Sequence, residues 1–213
     1  MSIPPSPLSA SESPSSSVSM PVAVVFHPAN APVREPVTKA GGQPVWLEEP
    51  QWPLSRETGE PMQFLAQFEL DGGGLGYLFM TGDDDEWVDG TYEPEGGENA
   101  VIVQPGGRIP DFVAVGPQAE GPTVGPDHLP RPAETDPDGQ EADPDGEPWQ
   151  FLGGPDIEPQ WLQGEETPGE GWRLVVQLDS CGLPFYVNFG DAGVGYAFVS
   201  PDGKEGRFLW QCG

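Results

Sequence analysis

The sequence predicts a mainly β fold that is built from two related antiparallel β-rich halves and packed as one globular unit. Three observations support this prediction. The same sequence blocks recur in the same order in both halves, short apolar segments alternate with turns rich in Gly, Pro and Asp, and no window keeps a helical apolar period beyond about two turns. An α+β fold is the alternative, in which any helices would be short and peripheral.

The repeat consists of four blocks in each half. They are a Gly-Gly turn, a Pro-x-Trp-Leu segment, an apolar run that ends in Gln-apolar-acid, and Gly-x-Gly-Tyr-x-Phe. The blocks begin at Gly41, Pro44, Phe64 and Gly74 in the first half, and at Gly153, Pro159, Leu174 and Gly193 in the second. Trp46 precedes Gln67 by 21 residues and Trp161 precedes Gln177 by 16, so the blocks match while the loops between them differ. This pattern predicts an internal duplication.

The individual strands follow from apolar alternation and from the turns that bound it. Residues 62–70 alternate apolar and polar side chains with the period of two that is typical of a half-buried strand, and the turn at 71–74 leads into a returning strand, so this pair predicts a hairpin. The other segments are assigned in the same way. The predicted strands are 22–26, 62–70, 75–80, 100–103, 112–115, 172–178, 184–189, 196–199 and 207–210.

Composition divides the chain into four segments. Residues 1–19 form a Ser/Pro-rich tail without a basic start or an apolar run, which indicates disorder and not a signal peptide. Residues 118–148 form an acidic Pro/Gly linker that cannot bury enough apolar surface to offset its ordering entropy. The first β-rich half is therefore expected at 20–117 and the second at 149–213.

The chain is strongly acidic, with a net charge of −27. The predicted linker contributes −8 and the tail −1, so −18 remains on the residues expected to fold. This charge argues against nucleic acid and anionic membranes as partners and favours basic proteins. High solubility alone is the simpler interpretation.

Several blocks together resemble the YwqG-like family, a bacterial domain-of-unknown-function family. The resemblance rests on the Gly41-to-Leu47 block, Pro61 to Gln67, Trp161 to Gln163, Val176 to Ser180 and Phe189 to Tyr196, and it covers roughly 36–116 and 149–213. It implies a cytoplasmic protein with a duplicated β-rich or α+β fold and no established activity. Some members lie near toxin and immunity systems, which points to protein partners. The resemblance implies no catalytic residues.

Four repeated side chains are the first candidates for a binding site. Gln67 and Gln177 each lie inside an apolar strand, where an amide needs hydrogen-bond partners. Bonds to backbone are the simpler interpretation, and a pair of amides lining a cleft between the halves is the functional one. Trp46 and Trp161 are expected to pack as core plugs, with a ligand-stacking platform as the alternative.

Asp179 and Asp191 are the carboxylates that could perform general acid–base chemistry as a pair. The simpler interpretation is that Asp179 ends a strand and Asp191 caps its turn.

The acidic run Asp83 to Glu86 and the two Asp-Pro-Asp-Gly repeats lack the spacing of a calcium loop. His27 and His128 are the only histidines, so no metal site and no cofactor is predicted. Cys181 and Cys212 are expected to be buried free thiols in a reducing compartment.

These observations favour a cytoplasmic, non-catalytic binding or interaction protein with an acidic surface. The sharper hypothesis is that it neutralises a basic protein partner. The alternative is a small-molecule-binding protein or hydrolase whose site lies between the halves and gathers Trp46, Gln67, Trp161, Gln177, Asp179 and Asp191. A purely structural subunit is a third hypothesis, which predicts a large exposed apolar patch. The sequence leaves the oligomeric state open.

Overall fold

The computed structural model describes residues 21–82, 88–133 and 149–213, and these residues form an all-β fold. The strands are β1 (Val24–Pro28), β2 (Lys39–Ala40), β3 (Trp52–Leu54), β4 (Gln63–Leu70), β5 (Gly74–Met80), β6 (Asn99–Gln104), β7 (Ala114–Gly116), β8 (His128–Pro132), β9 (Phe151–Leu152), β10 (Arg173–Asp179), β11 (Val194–Val199) and β12 (Gly206–Gln211). No helix occurs in the described ranges. The prediction of a mainly β fold is therefore confirmed.

The strands form two large sheets and one small ribbon. The first sheet has the order β1-β8-β2-β4-β5-β6, and the second has the order β12-β11-β10-β9. The ribbon pairs β3 with β7. All of these strand pairs are antiparallel, and each large sheet contains a three-strand meander, β4-β5-β6 in the first and β10-β11-β12 in the second.

The two large sheets pack face to face through one shared apolar core. The first sheet contributes side chains such as Phe68 and Val101, and the second contributes side chains such as Val176 and Phe208. Alternation along the strands produces this arrangement, since every second residue of β5, β6, β11 and β12 points between the sheets. The space between the halves is therefore filled by apolar side chains.

The sheets also meet along their edges. At one edge Ala23 and Phe151 form an antiparallel bridge, which links the start of β1 to β9. At the other edge β12 packs beside β6, where a Cβ on Gly206 would run into Val101. These contacts leave little open strand edge on the large sheets.

The outer face of each sheet carries its own smaller core. On the first sheet this outer core contains Trp52, Tyr77 and Phe79, and on the second it contains Tyr196 and Phe198. The Pro-x-Trp-Leu segments cover these faces, because Trp46 and Trp161 pack against them half-buried. The prediction that both tryptophans pack as core plugs agrees with this placement.

The structure differs from the predicted elements in several places, and β2, β3 and β9 are strands where none was predicted. No strand forms at 184–189, because these residues pack Val187 and Phe189 into the shared core without pairing. The strand predicted at 112–115 is the shorter β7. Residues 118–133, assigned by composition to the linker, belong to the fold, since β8 lies inside the first sheet between β1 and β2.

The remaining predictions on segments concern residues outside the described ones. These are the tail at 1–19, the acidic run 83–86 and the part of the predicted linker at 134–148. Within the described ranges, no helix has the length and apolarity that crossing a membrane requires.

Candidate functional site

The two repeated glutamines bond the backbone of the segments that cover the outer faces. Gln67 is fully buried; its Oε1 accepts the Val45 N–H at 2.9 Å and its Nε2 donates to the Val37 carbonyl at 2.8 Å. Gln177 makes the matching pair of bonds, from the Gln160 N–H at 2.8 Å and to the Trp149 carbonyl at 3.0 Å. Both amides thus have a donor and an acceptor partner.

A tyrosine beside each glutamine bonds the same covering segment. The Tyr77 hydroxyl accepts the Leu47 N–H at 3.1 Å and donates to the Val45 carbonyl at 2.8 Å. Tyr196 makes the same two bonds to residues 160–162, at 3.0 and 2.9 Å. Burial raises the pKa of Tyr77 to about 12 and the pKa of Tyr196 to about 12. Both hydroxyls therefore stay protonated across the neutral range.

A second glutamine completes each group. Gln104 accepts the Leu47 and Glu48 N–H groups, both at 3.1 Å, and donates to the Glu49 carbonyl at 3.0 Å. Gln211 occupies the same place in the second sheet, accepting the Gln163 N–H at 2.9 Å and donating to the Gly164 carbonyl at 2.7 Å. We call these groups the first clamp (Gln67, Tyr77 and Gln104) and the second clamp (Gln177, Tyr196 and Gln211).

The tryptophans lie over the clamp tyrosines with nearly identical geometry. The ring of Trp46 is 4.8 Å from that of Tyr77 at an interplanar angle of 34°, and the ring of Trp161 is 4.7 Å from that of Tyr196 at 34°. Trp46 also donates its Nε1–H to the Ala119 carbonyl at 2.9 Å. One face of each indole is therefore occupied by protein.

The structure does not bring the six predicted site residues into one cleft. Trp46 and Gln67 lie on the outer face of the first sheet, whereas Trp161 and Gln177 lie on the outer face of the second, with the shared core between them. Asp179 ends β10 and accepts the Cys181 N–H at 2.9 Å. Asp191 is exposed in the loop that precedes β11.

A buried ion pair lies in the first half, between Lys39 and Asp127. The Lys39 side chain is fully buried and the Asp127 side chain is 9% exposed. Lys39 Nζ also donates to the Gln43 carbonyl at 2.7 Å and to the Gly41 carbonyl at 3.3 Å. Burial lowers the pKa of Lys39, and the bond to Asp127 opposes that shift.

This ion pair fastens residues 119–128 to the Gly-Gly turn. Gln43 adds two bonds to Gly121, one accepted at 3.1 Å and one donated at 2.9 Å. Gly42 has a φ of +66°, and a Cβ there would collide with the Asp127 carboxylate, so the turn requires glycine. Lys39 is closed off from solvent and contacts only groups that hold it in place, so its role is to position the chain.

Two neighbouring pockets lie at one end of the first half. One pocket of about 620 Å³ has a mixed lining. Its apolar residues are Leu54, Phe112, Val113 and Ala114, and the others are Ser55, Arg56, Gly59 and Asp111. A second pocket of about 450 Å³ is lined by Glu57, Asp89, Glu93 and Glu98. Because Arg56 lines both pockets, we treat them as one feature, the end groove, with an apolar part and an acidic part.

The described residues contain no group of three or more His, Cys, Asp or Glu side chains arranged to hold a metal ion. Both cysteines are free thiols. The expectation that they are buried is wrong for Cys181, which is exposed in the turn after β10, while Cys212 is half-buried.

Comparison with known proteins leaves the family open. No protein-family model matches the chain, and no curated protein matches its sequence. The resemblance to the YwqG-like family therefore stays a prediction.

Proposed function

We propose that this chain is a non-catalytic binding protein that presents an acidic folded surface to a basic protein partner. The observation that carries the proposal is the imbalance of surface charge. Nineteen Asp and Glu side chains are exposed among the described residues, against five exposed Lys and Arg side chains. The negative field therefore belongs to the folded surface and does not depend on the tail or on residues 134–148.

Several basic side chains form ion pairs within the molecule. Arg108 pairs with Asp202, Arg173 pairs with Asp71, and Lys39 is buried against Asp127. The paired guanidinium of Arg108 holds the pKa of Asp202 well below its usual range, so this carboxylate stays charged in acid. Lys39, Arg108, Arg173 and Arg207 are thus engaged in ion pairs within the molecule, while most exposed carboxylates remain available to a partner.

The proposal includes an origin for the scaffold. We infer that the two halves arose by internal duplication and that the chain is related to the YwqG-like family. Three repeated features support this: the two clamps, the matching indole–tyrosine geometry, and a β-bulge at the same place in each meander, between Phe64 and Ala66 in β4 and between Leu174 and Val176 in β10.

The proposal extends to the compartment, because two free thiols suit a reducing cytoplasm. No observation favours the alternative of a small-molecule or hydrolase site between the halves, since the shared apolar core fills that space.

Affinity capture from the host lysate tests the proposal. The chain is immobilised, washed at low and then at high salt, and the bound proteins are identified by mass spectrometry. We expect a stoichiometric basic protein that is released by salt, since screening weakens attraction between exposed charges. The captured protein is then produced and titrated against the chain by calorimetry. If no basic protein binds with salt-dependent affinity, the proposal fails.

A further inference from the structure

One of the strands that line the end groove, β7, has an open edge. In the ribbon, Pro53 pairs opposite Val115, and Trp52 and Leu54 pair opposite Gly116 and Ala114. The Pro53 carbonyl accepts the Met62 N–H at 2.9 Å on the side of β3 away from β7. In an antiparallel pair, residues directly opposite each other turn their backbone groups both inward or both outward. The Val115 N–H and carbonyl therefore point away from β3.

Nothing in the described part of the chain covers this edge. No described residue bonds the Val115 backbone groups, and its side chain is 37% exposed. An open edge of this kind is a template for an additional strand. β7 is short, so added main-chain bonds alone would give weak affinity, and side-chain pockets beside the edge must supply the rest.

The end groove supplies two such pockets. Its apolar part adjoins β7 through Val113 and Ala114, and its acidic part continues beyond Arg56. Glu57 and Glu93 are exposed there, whereas the Glu98 carboxylate is occupied by the Glu57 N–H at 2.8 Å and the Thr81 hydroxyl at 2.5 Å. The groove thus combines a partly apolar recess with exposed carboxylates, of which that of Glu93 accepts a hydrogen bond from the Tyr92 hydroxyl.

We infer that the end groove binds an extended segment of a basic partner protein by adding a strand to β7. An apolar side chain of that segment enters the recess beside Leu54 and Phe112, and Lys or Arg side chains lie over Glu57 and Glu93. Charge complementarity selects this occupant, because an acidic or neutral segment would leave these carboxylates uncompensated. The inference rests on the proposed function and adds to it the place and the form of the contact.

A labelled peptide tests the inference with the full chain. The probe is a blocked, fluorescein-labelled peptide of alternating Val and Lys or Arg, and binding is followed by fluorescence anisotropy at low and at moderate salt. Val115→Pro removes the outward N–H, and the position tolerates proline because that N–H makes no bond to β3. We expect this variant to bind about tenfold more weakly, because it loses one hydrogen bond and the matching strand geometry.

Matched charge reversals separate the groove from the general field. Glu57→Lys combined with Glu93→Lys is compared with Glu158→Lys combined with Glu166→Lys, which changes the net charge equally on exposed residues of the second half. We expect the groove pair to weaken binding about tenfold or more and the control pair about twofold. The hydrogen-exchange rate of the Val115 amide in the unsubstituted chain gives an independent measurement, because added strand pairing should slow this exchange. The measurement does not depend on whether Val115→Pro folds.

The outcomes distinguish this inference from the proposed function. Equal weakening by both charge reversals, unchanged binding by Val115→Pro, or an unprotected Val115 amide overturns the groove and leaves the acidic-surface proposal standing. If the peptide does not bind at low salt although a basic partner is captured from lysate, the groove is again overturned. Failure of both peptide binding and capture overturns the two together.

Discussion

Replacing Lys39 with Met should destabilise the fold strongly at neutral pH. The substitution keeps the apolar stem and removes the ammonium that Asp127 and the Gln43 carbonyl share. The Asp127 carboxylate, 9% exposed, is then left without its positive partner. Breaking a buried ion pair from one side costs about 3–5 kcal/mol.

Urea unfolding at pH 7 measures this loss of stability. Lys39→Met with Asp127→Asn removes both charges, keeps an acceptor for the Val33 N–H, and should recover most of the loss at pH 7. Arg173→Met is the surface control, since its pair with Asp71 is well exposed and should contribute less than about 1 kcal/mol. A deficit below about 1 kcal/mol for Lys39→Met would refute the reasoning.

Three further predictions concern the clamps and the Gly-Gly turn. Gln67→Leu and Gln177→Leu should each lower the free energy of unfolding in urea by about 2–4 kcal/mol, because each leaves one buried N–H and one carbonyl without a hydrogen-bond partner. Losses below about 1 kcal/mol in both variants would contradict the role given to the clamps. Since the folded pKa of Tyr77 and of Tyr196 is about 12 against an ordinary value of about 10, the free energy of unfolding should fall as the pH rises from 10 to 12, by about 3 kcal/mol per tyrosine. Replacing both tyrosines with Phe should flatten that alkaline profile, and an unchanged slope would assign it to other groups. Gly42→Ala should unfold at least 2 kcal/mol more easily in the same assay, since its φ of +66° is strained for alanine and its Cβ meets Asp127; wild-type stability would show that the turn relaxes without cost.

The strands that the sequence predicted correctly are those that bury alternate side chains. β4, β5 and β10 each place one set of residues in the shared core and the other set on an outer face, so the period of two is visible locally. The same pattern misled at 184–189. Val187 and Phe189 point inward there and Tyr186 is 74% exposed, but the backbone has no neighbouring strand to pair with. Alternation of apolar and polar side chains indicates which residues are buried, but it does not show whether the backbone pairs with another strand.

β8 shows what composition alone could not predict. Its two prolines and acidic surroundings indicated a linker, yet Pro130 and Pro132 pair opposite Phe26 and Val24 of β1. These prolines are tolerated because β2 pairs with β8 only at His128, so the edge facing β2 is open where the prolines lie. Membership in the sheet depends on partners about 100 residues away in sequence, which no local window contains.

The candidate site was likewise predicted only in part from the sequence. The repeated blocks identified Gln67, Gln177 and the tryptophans, and the Tyr of Gly-x-Gly-Tyr-x-Phe was a visible but unused signal for the rest of each clamp. The ion pair had no such signal. Lys39 and Asp127 are 88 residues apart, and β9 carries Phe151 where β2 carries Lys39 in the pairing with β4 and β10.

The features shared by the two halves and those found in one half have different roles. The clamps occur twice, bond mainly backbone and hold the covering segments over two outer faces, so they maintain the scaffold. The end groove is built from the β3–β7 ribbon and residues 88–98, and the described part of 149–213 contains no ribbon of this kind. Function generally resides in elements added to a scaffold that is already stable without them. The end groove, and not the repeated tryptophans and glutamines, is therefore where a partner of this protein is best sought.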